Sequence, residues 1–267
     1  MCRSYAVCFR LAVLAIVFCE AAPVRADLTI EQKARAERLI SLFENGITQV
    51  QYGYIEALGD GRGYTFGRAG FTTATGDALL LVEEYTKQRP ENPLGRYLPR
   101  LRKLANRGSG SVSGLEGFVA AYQSAVRDSL FIALQDQLQD DLYYYPAMRI
   151  ARELGLRSAL AKAVIYDTII QHGGGSDPDS LEAIIARTER IFSGSPAQGV
   201  VGEAKFIYTF LRIRRAVLSM PDNAESAGVW AESTGRVDAL MQMMHRGYWN
   251  LDRPIRIQTR DYDEIVN

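Results

Sequence analysis

A short glycine-rich stretch displays the side chains best suited to chemistry. From Gly59 to Gly67 the sequence reads GDGRGYTFG, and its alternating glycines allow a tight turn and a close approach to a ligand. Asp60, Arg62, Tyr64 and Thr65 are the side chains with possible chemistry that such a loop would present. A second carboxyl group, Glu44, stands sixteen residues earlier. We take these two carboxyl groups as the candidates for acid and base chemistry.

The element that positions Glu44 is predicted to be a helix. Thr29 and Gln32 have capping-box spacing, and an Asn-Gly pair closes the run, so residues 29–45 are typical of one helix. Glu44, four residues beyond Ile40, continues the apolar stripe of this helix. We therefore expect Glu44 to face other protein. Desolvation and the negative end of the helix dipole would then favour its protonated form, as a general acid requires.

The loop carboxylate has the opposite surroundings. Asp60 on a polar turn would stay ionised, and Arg62 would supply an opposite charge beside it. Two carboxyl groups whose environments favour different protonation states indicate acid and base roles, as in glycoside hydrolysis. A solvated glutamate at a helix end and a common Asp-Gly turn would have the same spacing. The spacing alone leaves both interpretations open.

The rest of the chain is predicted to be mainly helical. Residues Arg62 to Thr75, rich in Gly, Thr and aromatics, form the one good candidate for a small antiparallel sheet. The run from Gly108 to Gly114 is linker-like and could be a lobe boundary, and Asn250 to Pro254 looks irregular. Further helices are predicted at Gln49–Leu58, from about Asp77 to Pro90, and at Leu98–Leu104, Phe118–Asp136, Asp140–Leu154, Ser158–His172, Ser180–Phe192, Val201–Met220 and Glu232–Met244.

Length and composition indicate an exported globular protein. The chain has 267 residues, of which 47% are hydrophobic and 23% charged, enough for one large domain or two lobes around a cleft. Residues 1–26 are typical of a secretory signal peptide, because Arg3 and Arg10 precede the apolar run Leu11–Cys19 and small residues precede a cut near Asp27. That run is shorter than the ~20 residues of a membrane span. We expect an extracellular or periplasmic protein with no membrane association after removal of the signal.

The same composition limits cofactors and partners. All three cysteines lie within residues 1–26, and His172 and His245 are the two histidines of the chain, so a metal centre would be hard to build. We expect neither a metal nor another cofactor. Without residues 1–26 the chain would be slightly acidic, which disfavours nucleic acid and suits a cationic polymer. We expect a monomer.

Charged residues in apolar helices form a second group of candidates. Asp167 falls in an apolar run, where a buried carboxylate needs a positive partner, and Arg214 and Arg236 could supply it. The residues by themselves favour a structural ion pair. His172 precedes three glycines, which indicates either a helix end or a turn that borders a cleft. In the second case His172 would contact substrate.

Three segments of the sequence carry a resemblance to a known family. Residues 41–45 (SLFEN), 52–65 (YGYIEALGDGRGYT) and 70–77 (GFTTATGD) resemble the N-terminal signature of the chitosanases of glycoside hydrolase family 46. The resemblance implies a mainly α, two-lobed lysozyme-like α+β fold with one small antiparallel sheet beside the cleft. Residues 27–267 would form a single catalytic domain. The implied activity is endo-acting, inverting hydrolysis of chitosan.

The resemblance also implies roles for individual residues. Glu44 would be the acid and Asp60 the base that activates water, with Thr65 holding that water. Arg62 would steer the base. A charge network of Arg236, Asp167 and Arg214 would lie behind the acid. The implied substrate-binding residues are Asp77 and, less directly, Tyr54, Glu56, Tyr143 and His172.

Two other functions remain open. A lysozyme-like muramidase acting on peptidoglycan would be favoured if the cleft lacked anionic residues beyond the catalytic pair. A chitosan-binding or other polycation-binding protein without catalysis is the third possibility. The joint presence of Glu44, Asp60 and Thr65 argues against it, because a protein without catalysis would be free to lose any of them.

Overall fold

The computed structural model describes residues 27–222 and 230–267. The predicted signal peptide and the three cysteines lie outside the described residues. Over these two ranges, no helix combines the length and the apolar character needed to cross a bilayer. The helices are α1 Ile30–Asn45, α2 Asp77–Gln88, α3 Leu98–Arg107, α4 Phe118–Ala125, α5 Ser129–Gln139, α6 Tyr145–Glu153, α7 Ala159–His172, α8 Leu181–Phe192, α9 Glu203–Ser219 and α10 Thr234–His245. The strands are β1 Ile55–Ala57, β2 Tyr64–Phe66, β3 Phe71–Thr72, β4 Ile255–Gln258 and β5 Asp263–Val266.

Helix ends follow local capping chemistry. The Thr29 side chain accepts from the Gln32 amide at 3.2 Å, and Gly46 closes α1 with φ of 72°, as predicted. The prediction of one helix over Phe118–Asp136 is wrong. Asp128 breaks it, because its carboxylate caps the start of α5 by accepting from the Leu130 amide at 3.0 Å.

Two hydrophobic clusters define two lobes. One cluster joins α1 with α6 to α10 and the β4–β5 hairpin, and the other joins β2 and β3 with α2 to α5. The predicted two-lobed, mainly helical fold is thereby confirmed. The Gly108–Gly114 stretch is not the lobe boundary, since Leu104 before it and Leu115 after it belong to the same cluster. A π-helical turn, Asp140–Tyr144, instead links α5 of one lobe to α6 of the other.

The predicted small sheet is present beside the loop that carries Asp60. Strands β1, β2 and β3 pair antiparallel in that order, with Glu56 opposite Thr65 and Thr65 opposite Thr72. Cross-strand partners share a face, so these three polar side chains lie in a row. The predicted helix over Gln49–Leu58 is wrong, because β1 occupies its second half and pairs with β2.

A second sheet escaped the sequence prediction. Strands β4 and β5 form an antiparallel hairpin in which Ile255 pairs with Val266 and Ile257 with Glu264. Ile255 and Ile257 are fully buried against the first lobe. The prediction of a single sheet is therefore corrected. This hairpin packs near α10 and α1, so it lies behind the helix end that carries Glu44.

Candidate active site

Glu44 lies at the rim of its lobe, where α1 ends. Its side chain is 41% exposed, and its Oε1 lies 2.7 Å from Nη1 of Arg236. The prediction that Glu44 faces other protein is wrong, because the buried stripe of α1 ends at Leu42 and Glu44 projects past it in the last turn. The desolvation expected for Glu44 is therefore not observed. Exposure does leave its carboxyl accessible to a ligand.

A buried ion-pair chain backs this rim carboxylate. Arg236 Nη2 lies 2.7 Å from Asp167 Oδ1, and Arg214 Nη1 lies 2.6 Å from Asp167 Oδ2. All three side chains are almost fully buried. Burial alone would raise the pKa of Asp167, but the two guanidinium charges outweigh it and hold that pKa below its ordinary value. The prediction that Asp167 takes Arg214 and Arg236 as partners is confirmed.

His172 and Gln171 complete the surroundings of Arg214. Arg214 Nη2 donates to Gln171 Oε1 at 2.6 Å, and Arg214 Nε lies 3.3 Å from His172 Nε2. The other ring nitrogen of His172, Nδ1, lies 2.8 Å from the carbonyl oxygen of Asp179. Burial, followed by the Arg214 charge, lowers the pKa of His172 to about 3. The prediction that His172 contacts substrate is wrong, because the ring is buried and both nitrogens are occupied within the protein.

The second carboxylate stands on the predicted glycine loop. Arg62 holds Asp60 through its amide, its Nε and its Nη2, at 3.0, 2.9 and 2.7 Å. This hydrogen bonding lowers the pKa of Asp60. Gly61 and Gly63 adopt φ of 84° and 80°, which glycine reaches without steric cost. The predictions of a tight loop and of Arg62 as the charged partner of Asp60 are thereby confirmed.

The Gly108–Gly114 stretch supports this loop from behind. A Cβ atom on Gly110 would lie 2.0 Å from the carbonyl oxygen of Gly61. Because the contact is to backbone, no side-chain rotation could relieve it. The stretch predicted as a linker therefore serves as a backing surface for the loop that carries Asp60.

Thr65 and Asp77 continue the polar row of the sheet. Thr65 is buried, and among the described residues its hydroxyl has no hydrogen-bond partner. Asp77 opens α2, and its Oδ1 accepts from the amides of Thr72 and Ala78 and from the Thr75 hydroxyl at 2.9, 2.9 and 2.7 Å. These bonds fix the carboxylate through one oxygen. They leave Oδ2 for another partner.

Tyr143 lies on the segment that links the two lobes. Its pKa is raised by burial and then by the charges of Asp77 and Glu44. The ring therefore lies within electrostatic reach of both carboxylates. It belongs to the π-helical turn Asp140–Tyr144, and such single turns often occur at functional sites.

Tyr54 and Glu56 lie on the Asp60 side of the site. The Tyr54 hydroxyl donates to Glu56 Oε2 at 3.0 Å. Burial and this bond raise the pKa of Tyr54, with smaller effects from Arg62 and Asp60. Tyr54 and Glu56 are thus near the glycine loop, although they bind each other.

The aromatic contacts of Arg236, the partner of Glu44, were not predicted from the sequence. The ring of Phe43 lies 5.3 Å from that of Tyr262, and the Arg236 guanidinium lies 5.5 Å from the centre of the Phe43 ring. Tyr262 belongs to the missed hairpin. The alternation of Ile255 and Ile257 with polar residues was the available signal for its first strand.

The two carboxyl groups lie on different lobes. Glu44 is backed by buried charges, and Asp60 is held by its arginine on a loop. This arrangement is typical of a glycoside hydrolase with a cleft between its lobes. The family model described as Glycosyl hydrolase family 46 matches residues 38–255. A chitosanase of Bacillus subtilis (strain 168) is 50% identical over 241 residues, covering 90% of this chain and 87% of that protein. The chain belongs to glycosyl hydrolase family 46.

Solved structures agree with the sequence comparison. The crystal structure of native chitosanase from Bacillus subtilis MY002 matches with a TM-score of 0.83 at 49% identity, covering 90% of this chain and 100% of that one. The complex of a family 46 chitosanase from Gynuella sunshinyii with chitotetraose matches with a TM-score of 0.83 at 46% identity, covering 90% and 99%. The lysozyme-like two-lobed fold implied by the resemblance is confirmed.

Proposed function

We propose that this protein is a chitosanase that cuts β-1,4 linkages within chitosan by an inverting acid–base mechanism. One observation carries the proposal: in a chain of family 46, Glu44 on one lobe and Asp60 on the other are each held by an arginine. The similar proteins named above are chitosanases, and one of them binds chitotetraose.

The chemistry follows from the substrate. A free 2-amino group cannot form the cyclic intermediate that an N-acetyl group allows, so the enzyme must activate water itself. Glu44 protonates the glycosidic oxygen as the bond breaks. Asp60, kept ionised by Arg62, takes a proton from a water on the opposite face of the sugar. This requires the two carboxyl groups to be roughly 6.5 to 9.5 Å apart, and it inverts the anomeric carbon.

Thr65 holds the attacking water in this proposal. Its buried hydroxyl lies in the second lobe, in register with Glu56 and Thr72, and its lack of a partner among the described residues supports that role. A buried hydroxyl without a hydrogen bond costs about 1–3 kcal/mol, so a water bound there would gain that amount. The Arg236–Asp167–Arg214 chain orients Glu44 from behind.

Asp77 binds an amino group of the substrate. Its Oδ1 is fixed by three donors, so Oδ2 can accept from a glucosamine ammonium group. Tyr143, near both Asp77 and Glu44, is a candidate sugar contact, with Tyr54 and Glu56 on the other side of the cleft. We expect Asp77→Asn to raise KM roughly ten- to hundredfold with a smaller change in kcat, because a charge-assisted hydrogen bond is lost.

Export completes the proposal. Residues 1–26 direct secretion, and residues 27–267 act as one two-lobed catalytic domain, monomeric, in the periplasm or the medium. N-terminal sequencing of the exported protein should start near Asp27, and an uncleaved N-terminus would contradict the assignment.

The decisive experiment measures reducing ends released from chitosan by purified residues 27–267, with chitin and peptidoglycan as parallel substrates. Glu44→Gln should lose several orders of magnitude, whereas Glu83→Gln, a change in a surface ion pair with Arg102, should stay within twofold of wild type. NMR of fresh product should show the α anomer. Wild type that leaves chitosan intact would refute the proposal, and cleavage of peptidoglycan or binding without cleavage would identify which alternative holds.

A further inference from the structure

The neutral imidazole of His172 closes the far end of the chain of contacts that begins at Glu44. A backbone carbonyl can only accept, so the contact between His172 Nδ1 and the Asp179 oxygen requires a proton on Nδ1. Nε2 then carries the lone pair, and it accepts from Arg214 Nε at 3.3 Å. The Nδ1-protonated neutral tautomer satisfies both contacts. A proton on Nε2 would oppose the guanidinium.

These contacts fix Arg214 on three sides. Its Nε bonds His172, its Nη1 bonds Asp167 and its Nη2 bonds Gln171. A guanidinium is a rigid planar fork, so the partner of Nε helps to set the direction in which Nη1 points. Loss of the His172 contact would free the plane to rotate about the axis through the remaining bonds.

The orientation of Arg214 reaches Glu44 through Asp167. Each Asp167 oxygen binds one arginine, Oδ2 to Arg214 and Oδ1 to Arg236. Rotation of Arg214 would turn the carboxylate, which would shift Arg236 and its 2.7 Å contact with Glu44. All of these groups except Glu44 are buried, so solvent does not compete with the transmission.

Other parts of the fold also contact the ring of His172. The ring lies 4.8 Å from that of Trp230. The loop after α7 turns at Gly173 and returns the carbonyl of Asp179 to Nδ1, and Ser180 then caps α8. The ring is therefore fixed by a helix end, a loop and an aromatic contact.

We propose that His172 is a positioning residue of the active site, which holds Arg214 as a neutral hydrogen-bond acceptor and thereby sets the orientation of Asp167, Arg236 and Glu44. The inference rests on the proposed role of Glu44 as the acid. It replaces direct contact with substrate as the role of His172. The proposed role requires only the lone pair on Nε2, which the Nδ1-protonated tautomer provides.

Two amide substitutions separate this role from packing. The end group of Gln reaches the position of Nε2 and can accept from Arg214, whereas that of Asn reaches only the position of Nδ1 and can donate to the Asp179 carbonyl. We expect His172→Asn to lower kcat on chitosan at least tenfold with KM within twofold of wild type. We expect His172→Gln to retain kcat within about threefold. His245→Asn, at the exposed histidine at the end of α10, should leave both constants unchanged.

The pattern distinguishes positioning from a merely structural role. All rates are normalised to the folded fraction measured by circular dichroism. The alkaline limb of the pH–kcat profile, which reports the acid, should move in His172→Asn and stay in place in His172→Gln. Equal losses in the two variants, or full activity per folded molecule in His172→Asn, would overturn the proposal.

A measurement without substrate keeps the inference separate from the proposed function. Long-range proton–nitrogen NMR of the imidazoles in residues 27–267 should show His172 with a protonated Nδ1 and a bare Nε2 from about pH 7 to about pH 4.5. Protonation on Nε2 in that range would overturn the proposal even if chitosan is cut. Inactive wild type with the expected tautomer would instead refute the assignment of the acid.

Discussion

His172 should make the stability of the folded protein sensitive to acid, and its contribution can be measured separately from those of other groups. The unfolded chain has a histidine pKa near 6.5, and burial with the Arg214 charge lowers the pKa of His172 to about 3 in the folded protein. As the pH falls below about 6.5, the unfolded state binds a proton that the native state refuses. The contribution of His172 is thus fully favourable above that pH and is lost progressively down to about pH 3.

The size of the effect follows from the same two values. At pH 4.5 the solution is about two pH units below the pKa of the unfolded histidine. Because only the unfolded state binds the proton, this difference corresponds to about 2 to 3 kcal/mol of lost stability. Asp167, whose pKa is held below its ordinary value by its arginines, loses its contribution only at lower pH. The interval from about pH 7 to about pH 4.5 therefore isolates His172 from the buried carboxylate.

Urea unfolding of wild type and His172→Gln at these two pH values tests the reasoning. Glutamine does not titrate, so the variant should lose about 2 to 3 kcal/mol less than wild type on acidification. Other groups titrate equally in both proteins and cancel in the difference. His245→Gln, at an exposed histidine, should lose as much as wild type. Parallel losses in wild type and His172→Gln would refute the assignment of a neutral buried imidazole.

Three further predictions concern the carboxylates and their supports. Arg62→Met should shift the acid limb of the pH–kcat/KM profile upward, because its hydrogen bonds lower the pKa of Asp60 and the base must be ionised. Asp167→Asn should destabilise the fold by about 3–5 kcal/mol in urea unfolding, because it leaves buried arginines without a counter-charge. Gly110→Ala should lower kcat up to about a hundredfold, because its Cβ would displace the Gly61 backbone.

Each of these three substitutions has a matched control at another position of the chain. Arg102→Met removes an exposed partner of Glu83, and Asp222→Asn removes an exposed partner of Arg187; both should be nearly silent. Gly202→Ala adds a Cβ that meets nothing within 4 Å. An unmoved acid limb in Arg62→Met, a loss below about 1 kcal/mol in Asp167→Asn, or equal kcat in the two glycine variants would contradict the corresponding argument.

Features that depend on neighbours in sequence could be predicted. The capping box at Thr29 joins the side chains of Thr29 and Gln32 to each other's backbone amides, and the Gly46 amide bonds the Leu42 carbonyl, so neighbours in sequence fix both ends of that helix. The buried ion-pair chain was predictable for another reason: Asp167 stands in an apolar helix, and a buried carboxylate must find a cation. Arg214 and Arg236 were the arginines placed in comparable surroundings.

Features that depend on distant packing could not be predicted. Strand β1 exists because residues 55–57 pair with β2, and the β4–β5 hairpin exists because Ile255 and Ile257 fill the core beside α10. The exposure of Glu44 likewise depends on distant packing, because it is set by how much of the rest of the protein covers the last turn of α1. A helical period gives the direction of a side chain but not the extent of the protein that faces it.

The two carboxylates differ in what could move them. Arg236, which holds Glu44, is buried and bound on its other side to Asp167, whereas Arg62, which holds Asp60, is exposed and belongs to the same loop as its partner. Glu44 is therefore held against the buried charges of its lobe, whereas Asp60 and its arginine belong to one loop. In the proposed mechanism, a change in the distance between the two lobes would leave both arginine–carboxylate pairs intact, because each pair lies within one lobe. The inverting mechanism proposed above needs room for a water between the sugar and Asp60.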